Sequence, residues 1–247
     1  MDAHVDLARK KCKYHMPQCH FVYYLSTFTV RMVYPEDIAT EIEQPDFPNL
    51  IQHFIYKEQH SDDTSDDSSD SESALPTFYG KITVFPSVVA TFHAPSDILG
   101  IGGMRREWIH AVKFWRKGPA RYDTIFVNTD PSKEGMRGLE IAHVRLFFSF
   151  SHDGVDYPSA LVHWFSRVGD LPDEHTGMWV VEPDLLDNGG PFMSIIHLDT
   201  ILQASHLLPV FGQGCVSKTL QFTDTLDTFT RFYVNKYIDH HAFKIAF

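Results

Sequence analysis

The 247-residue sequence lacks several features that would assign it to a compartment outside the cell or in a membrane. It contains only three cysteines, an odd number that gives no disulfide framework and is typical of a reducing compartment. No apolar run approaches the length needed to cross a bilayer, and the N-terminus lacks the apolar stretch of a secretory signal. We therefore expect an intracellular protein, nuclear or cytoplasmic, with no membrane partner.

Motifs of nucleophilic and cofactor-dependent catalysis are also missing. No G-x-S-x-G is present, and the run Gly212-Gln-Gly214-Cys215 fits no cysteine-protease signature. The glycines from Gly100 to Gly103 lack the Lys-Ser/Thr ending of a P-loop and the third glycine of a dinucleotide fingerprint. The sequence therefore predicts a protein that is not an enzyme, with no catalytic residue and no cofactor.

Two clusters suggest a metal site. Asp239-His240-His241 is similar to the acid and histidine pair of metal-dependent phosphoesterases, but no HxDxD pattern precedes it. Adjacent histidines on a helix point about 100° apart and rarely ligate one ion together. The segment from Cys12 to His20 holds two cysteines and two histidines, but no second ligand pair follows it. We predict no metal site, and a metal-dependent hydrolase using the C-terminal Asp-His-His is the alternative function.

Acidic charge is concentrated in one stretch of a chain whose net charge is −11. The run from Ser61 to Ser73 contains six acids, no base and no apolar residue, so it cannot bury enough surface to order itself. We predict a mixed helical and strand segment at 1–60, a disordered acidic linker at 61–76 and a β-rich domain at 77–247. Thr64 and Ser69 each have an acid three positions on and are candidate phosphorylation sites, although such a linker is more commonly a solubilising spacer.

Apolar periodicity predicts many short strands and few helices. Asp46 and Pro48 begin a predicted helix that extends through DFPNLIQHFIYKEQ. Alternation in IAHVRLFFSF and in VDYPSALVHWF, joined at Asp153-Gly154, predicts a hairpin. LDTILQASH and TLDTFTRFYVNKYI are predicted to be helical. Predicted strands are CHFVYYLSTFTVRMVY, YGKITVF, VVATFHA, DTIFVNTD, GMWVVEPD, FMSIIHL and HLLPVF. The pattern indicates an α+β, mostly β fold: a small antiparallel, SH3- or BAH-like barrel decorated by helices.

The strongest basic cluster lies in MRREWIHAVKFWRK. As a helix, this segment would place Arg106, His110, Lys113 and Lys117 on one face, opposite an apolar face that includes Trp108. Such a face contacts phosphates in nucleic-acid-binding proteins, but it is also typical of an ordinary solvated helix. The candidate nucleic-acid-binding residues are Arg105, Arg106, Lys113, Arg116 and Lys117.

Aromatic side chains on neighbouring predicted strands form a second candidate site. Tyr157, Trp164 and Trp179 could line a pocket for a methylated lysine, as aromatic cages do through cation–π attraction. The alternative is that these rings belong to the core. Chromatin proteins therefore stand beside nucleic acid as possible partners.

Several long motifs in a fixed order resemble a known family. They are FPSVVATFHAPSDILGIGGMRREWI, GMRGLEIAHVRLFFSF, TGMWVVEPD and FYVNKYIDHHAFKIAF. From about Phe78 to the end, the chain is similar to the C-terminal region of Plavaka-type, CACTA-like DNA transposon proteins of mushroom-forming fungi, which also occurs as free-standing proteins. The resemblance implies a transposon origin without the upstream catalytic core, hence a protein- or nucleic-acid-binding module. A degenerate element product without selected function is a further alternative.

Overall fold

The computed structural model of this protein describes residues 24–25, 30–60, 75–94, 103–212 and 216–246. The helices and strands are, in order, β1 (Tyr24–Leu25), β2 (Arg31–Val33), α1 (Pro35–Glu41), α2 (Phe47–Gln59), β3 (Ile82–Phe85), β4 (Ser87–His93), β5 (Met104–Val112), β6 (Arg121–Tyr122), β7 (Thr124–Asn128), β8 (Leu139–His152), β9 (Val155–Arg167), β10 (Val180–Pro183), β11 (Met193–His197), β12 (Ile201–Ser205), β13 (Leu207–Pro209), α3 (Thr225–Thr228), β14 (Phe232–Val234) and α4 (His240–Ala246). Short 3-10 turns precede β8, β12 and α3.

The strands form two antiparallel sheets. The smaller sheet is four-stranded, in the order β1-β4-β5-β6. The larger sheet is ten-stranded, with a main order of β12-β7-β8-β9-β10-β14-β13; β11 pairs with β9, and the β2-β3 pair joins β8. This larger sheet curls into an antiparallel half-barrel. The predicted α+β, mostly β class is therefore confirmed.

The two longest strands, β8 and β9, form the predicted hairpin. Their register runs from Ile141 opposite Phe165 to His152 opposite Val155. The turn consists of Asp153, with φ of 50°, and Gly154, with φ of 75°. Two consecutive positive φ values are what the tight turns that match strand twist require, and Asp-Gly adopts them readily. The hairpin and its turn are confirmed.

A β-bulge at Arg145 divides β8 into two halves. Even-numbered side chains face one side of the sheet before the bulge and the other side after it. The register shifts between Val144 and Leu146, so the extra residue changes which side chains face each way. Val144 lies in the core between the sheets, whereas Leu146 and Phe148 lie in a second core on the other side. The predicted alternation along IAHVRLFFSF therefore does not continue through Arg145, because a periodic pattern cannot anticipate an inserted residue.

Three apolar clusters form the core, and β8 and β9 contribute to all of them. The inter-sheet cluster lies between the two sheets and includes Val88, Ala90, Phe92, Ile109, Ala111, Ile125, Val127, Ala142, Val144, Phe147, Ala160, Val162 and Ile201. The helix cluster lies under α1 and α2 and includes Ile38, Phe47, Ile51, Phe54, Ile55, Phe78, Ile82, Leu146, Phe148, Phe150 and Leu161. The C-terminal cluster includes Phe126, Met136, Ile141, Phe165, Trp179, Val181, Leu202, Phe232, Val234 and Ala246.

Helix α2 forms as predicted and packs its apolar stripe on the larger sheet. Asp46 occupies the N-cap position, and its carboxylate accepts a 2.7 Å hydrogen bond from the Asn49 side chain. Phe47 is fully buried and meets Phe148 edge to face, with ring centroids 5.3 Å apart. The division at residues 60 and 77 stays a prediction, but described residues from both sides of it share the helix cluster.

Two predicted helices in the second half form only a short helical turn each and then continue as strands. The segment beginning at Leu198 has one 3-10 turn and then continues as β12, where Ile201 and Leu202 are buried in different clusters. The segment beginning at Thr225 is helical for four residues and returns as β14. Strands such as β12, with apolar residues on both faces, resemble buried helix segments in sequence, which explains the first error.

The C-terminal segment forms the short helix α4. In α4, Ala246 is buried in the C-terminal cluster and Ile245 packs against it, while Phe243 is 44% exposed. Phe247 lies outside the described residues, as does most of the predicted strand at 19–34 apart from β1 and β2. Among the described helices, none combines the length and the apolar character needed to cross a membrane.

Candidate nucleic-acid interface

The predicted basic helix is a β-hairpin, which we call the basic arm and define as Met104 to Tyr122. It consists of β5, a turn and β6, and β5 pairs along its length with β4. The arm carries six Lys or Arg residues and one acid, Glu107, in a chain of net charge −11. The predicted helical face was wrong, because a strand sorts its side chains with a period of two.

The inward face of β5 anchors the arm to the body of the protein. Glu107 accepts a 3.0 Å hydrogen bond from the backbone N–H of Ala204, and burial raises the pKa of this carboxyl. Arg105 points the same way, and its guanidinium lies 3.3 Å from the carboxylate of Asp239. The only acid of the arm is therefore turned inward, and Arg105 is an anchor more than a contact residue.

Asp123, directly after β6, fixes the base of the arm. Its carboxylate accepts hydrogen bonds from the backbone N–H of His110 at 2.8 Å, from the His110 ring at 3.2 Å and from Arg121 Nε at 2.9 Å. Burial raises the pKa of Asp123, but the hydrogen bonds outweigh it and hold the pKa below its usual value. These three bonds tie both strands of the hairpin to one carboxylate.

Trp115 organises the tip of the arm. Its ring lies edge-on to the His110 ring, with centroids 4.0 Å apart, and the guanidinium carbons of Arg116 and Arg121 each lie 5.1 Å from the Trp115 centroid. The turn closes through hydrogen bonds from Trp115 N–H to the Pro119 carbonyl and from Gly118 N–H to the Trp115 carbonyl.

The same turn holds two basic residues in an unfavourable backbone conformation. Arg116 has φ of 49° and Lys117 has φ of 64°. The left-handed region costs an ordinary residue about 1–2 kcal/mol relative to the right-handed one, and Gly, Asn or Asp would fill it more readily. Strained residues of this kind concentrate where a side chain is needed for function.

The outward side of the arm presents cations and aromatic rings together. Arg106, Arg116 and Lys117 are exposed, and so are Trp108 at 51% and Phe114 at 81%. Arg106 and Trp108 share the outer face of β5, opposite Thr91 and Val89 of β4. Lys113 is exposed as well, but its ammonium donates a 2.7 Å hydrogen bond to the Glu41 carbonyl and joins the arm to the end of α1.

Of the five predicted contact residues, the structure therefore leaves Arg106, Arg116 and Lys117 facing outward and gives Arg105 and Lys113 anchoring roles. The sequence prediction missed Trp108 and Phe114, because the helical interpretation assigned Trp108 to a buried face. The signal that could have identified the hairpin is Lys117-Gly118-Pro119, since Gly-Pro pairs mark turns.

The structure does not bring the three aromatic pocket residues together. Tyr157 packs against the helix cluster, Trp164 against the inter-sheet cluster, and Trp179 is buried in the C-terminal cluster. Trp164 Nε1 donates to Ser194 Oγ at 2.6 Å, and the guanidinium of Arg167 lies 5.6 Å from the Trp179 centroid. A cage for methylated lysine needs converging rings, and these rings lie in three separate cores.

The Asp239-His240-His241 run has structural contacts in the fold. Asp239 accepts a 2.6 Å hydrogen bond from the Ala242 N–H at the start of α4, in addition to its pair with Arg105. The buried His241 ring stacks on Phe92 and donates from Nδ1 to Gln203, and burial lowers its pKa to about 4. Within the described ranges, no group of three or more His, Cys, Asp or Glu side chains is arranged to hold a metal ion.

Some sequence predictions fall on residues that the structure does not describe. Thr64 and Ser69 lie there, as do the cysteines and histidines from Cys12 to His20. The glycine run is described only at Gly103, which has φ of 76°. These predictions stay predictions.

Comparison with known proteins gives no match. No family model, no curated protein and no solved structure is significantly similar to this chain.

Proposed function

We propose that this chain is a non-enzymatic, transposon-derived module that binds nucleic acid through its basic arm. The observation that carries the proposal is the sorting of charge along β5 and its turn. The only acid of the arm, Glu107, points inward to Ala204, whereas Arg106, Arg116 and Lys117 are exposed. An overall acidic chain thus carries a net positive charge on this one hairpin, which attracts a polyanion.

The arm is also held ready for binding. Asp123 fixes its base, the Trp115 stack fixes its tip, and Lys113 ties it to α1. A preorganised surface loses less conformational entropy when a ligand binds than a flexible one does. The contacts are charge-based and reach phosphates, so the predicted binding is salt-dependent and largely independent of sequence.

Fold analogy supports a binding role of the same kind. We propose that the curled sheet is an SH3- or BAH-like barrel, a scaffold found in nuclear binding proteins, and that the protein acts in the nucleus. Analogy at the level of fold supports no reaction, so the proposal contains none. Asp239 forms an ion pair with Arg105, and His241 is hydrogen-bonded to Gln203. The geometry of these side chains therefore gives no support to the metal-hydrolase alternative.

Charge reversal tests the proposed surface. The triple variant Arg106→Glu, Arg116→Glu and Lys117→Glu should abolish DNA binding measured by fluorescence anisotropy at about 50 mM salt. The matched control is Lys57→Glu, Arg137→Glu and Lys218→Glu, which makes the same charge change at exposed positions outside the arm.

The salt dependence adds a second criterion. With glutamine in place of glutamate, the arm variant should lower the slope of log K against log salt by about 2–3. Equal losses in the arm variant and the control would show that the arm is not the contact surface. A wild-type protein that binds no nucleic acid at low salt would overturn the proposed function and leave a protein partner as the candidate.

A further inference from the structure

We infer that the basic arm selects single-stranded nucleic acid by stacking bases on Trp108 and Phe114. This inference rests on the proposed function and adds the form of nucleic acid that the arm takes. It starts from a difference among aromatic residues of the arm: Trp115 is covered by its neighbours, whereas Trp108 and Phe114 expose their rings.

Trp108 lies at the middle of the outer face of β5. Its neighbours on that face are Arg106 on one side and His110 on the other, and Trp115 covers His110. Half of the Trp108 surface is exposed, at 51%, on a strand whose opposite face is buried against the inter-sheet cluster through Ile109. The ring is thus held on a rigid strand and offers a flat surface beside a cation.

Phe114 is exposed at 81%, at the start of the turn. A phenyl ring in this position contributes little to the core, since burial is what makes an aromatic side chain stabilising. It is followed within three positions by Arg116 and Lys117, which are both exposed, so cations lie close to it in the chain. Trp108 and Phe114 are six positions apart, which spans at most about 20 Å of extended chain, the scale of a few nucleotides.

The combination of exposed rings and cations on the arm matches the combination of bases and phosphates in a single strand. Base faces in a duplex are stacked on one another and are not available to a protein side chain. In a single strand they are available, and aromatic residues in a basic groove stack on them with little sequence preference. Phosphate contacts alone would need only the cations, so the exposed rings are the feature that favours the single strand.

An abasic strand separates stacking from charge. Anisotropy would compare four ligands at one salt concentration: a thymidine oligonucleotide of about 15 nucleotides, an abasic strand of the same length, and duplex DNA and duplex RNA of about 15 base pairs. Wild-type protein should bind the thymidine strand about 10- to 100-fold more tightly than the abasic strand and more tightly than either duplex.

Variants at the two rings locate the effect. Trp108→Leu and Phe114→Leu should each weaken binding to the thymidine strand by about 5- to 30-fold while leaving the abasic strand unchanged. Trp108→Tyr and Phe114→Tyr, which keep a ring, should restore most of the affinity. Tyr79→Leu, at an 85% exposed aromatic residue outside the arm, is the matched control and should change nothing. Circular dichroism and thermal melting confirm that each variant is folded.

The outcomes separate the two proposals. If wild-type protein binds the thymidine and abasic strands equally and charge reversal weakens both, the arm binds nucleic acid without stacking and the inference fails alone. The inference also fails alone if both leucine variants keep full affinity, or if a duplex binds more tightly than the thymidine strand. If wild-type protein binds none of the four ligands at low salt, the proposed function and the inference are both wrong.

Discussion

The ring of His110 and the carboxylate of Asp123 lie 3.2 Å apart at the base of the basic arm. Because the same carboxylate also accepts from the His110 backbone N–H and from Arg121, one side chain joins both strands of the hairpin to the start of β7. The geometry of the arm therefore depends on a residue that does not face the proposed ligand.

Replacing Asp123 with Ala should destabilise the protein and loosen the arm. Loss of its charge-assisted hydrogen bonds should lower the free energy of unfolding by about 2–3 kcal/mol at neutral pH, as measured by urea denaturation. Asp187→Ala, at an exposed acid, is the control and should have almost no effect.

The effect of Asp123→Ala should also depend on pH. The pKa of Asp123 in the folded state lies below its ordinary value of 3.8, so its contribution is present above that value and is lost as the pH falls through the folded pKa. Wild type and variant should therefore converge in acid. A stability difference that stays constant from neutral pH down to acid would contradict the role of the charged carboxylate.

Relief of backbone strain at Lys117 should separate stability from binding. Lys117→Gly removes the cost of φ at 64° and should raise the free energy of unfolding by about 0.5–1 kcal/mol. It also removes a cation, so DNA affinity should fall. Lys117→Ala is the matched control: it loses the same charge without relieving the strain, and it should weaken binding equally without any gain in stability. Equal stabilities of the two variants would show that the conformation carries no strain.

His143 should make the protein acid-sensitive. Burial is the main cause that lowers its pKa to about 3, and the ring is hydrogen-bonded from Nε2 to the Tyr122 carbonyl. In the unfolded chain His143 binds a proton near pH 6.5, whereas in the folded chain it does not. The free energy of unfolding therefore falls as the pH drops below that value. His143→Gln should reduce this slope by about 1.4 kcal/mol per pH unit between about pH 4 and pH 6.

The measurement is the urea midpoint across that pH range. Part of the slope should persist in His143→Gln, because burial also lowers the pKa of His241, to about 4. His53→Gln, at an exposed histidine, serves as the control. An unchanged slope in His143→Gln would show that this ring is protonated in the folded state.

Phe47→Ala tests whether α1 and α2 unfold together with the larger sheet. Phe47 is fully buried against Phe148, so its truncation should cost about 3–5 kcal/mol. Unfolding of the variant should appear as one cooperative transition by tryptophan fluorescence and by circular dichroism, since Trp164 lies on the larger sheet. Phe114→Ala, the same change at an exposed ring, should cost far less. Two separate transitions would indicate that the helices form an independent unit.

The parts of the fold that the sequence predicts well are those where local chemistry and tertiary burial agree. The hairpin of β8 and β9 combines alternation with Asp153-Gly154, a turn that adopts positive φ without strain. Helix α2 combines an apolar stripe with Pro48 in its first turn. For each of these segments, only one type of secondary structure satisfies the sequence pattern.

The strands of the basic arm were not predicted because the local pattern favours a helix. Trp108, Ile109, Val112 and Trp115 recur at helical spacing, and the consecutive charges of Arg105, Arg106 and Glu107 do not alternate with apolar residues as in a typical strand. Pairing with β4 and the contacts to Ala204 and Asp239 make the segment a strand, and these partners are distant in sequence. The bulge at Arg145 escapes prediction for the same reason.

The two-sided character of β5 has a consequence for how such a protein diverges. Arg105, Glu107 and Ile109 hold the strand in place, while Arg106 and Trp108, between them, meet the solvent. Substitutions at the outward positions leave the anchors intact, so the surface can acquire a new preference without first losing the scaffold. Within this single strand, the inward residues are thus responsible for folding, and the outward residues are the ones that can change to alter binding.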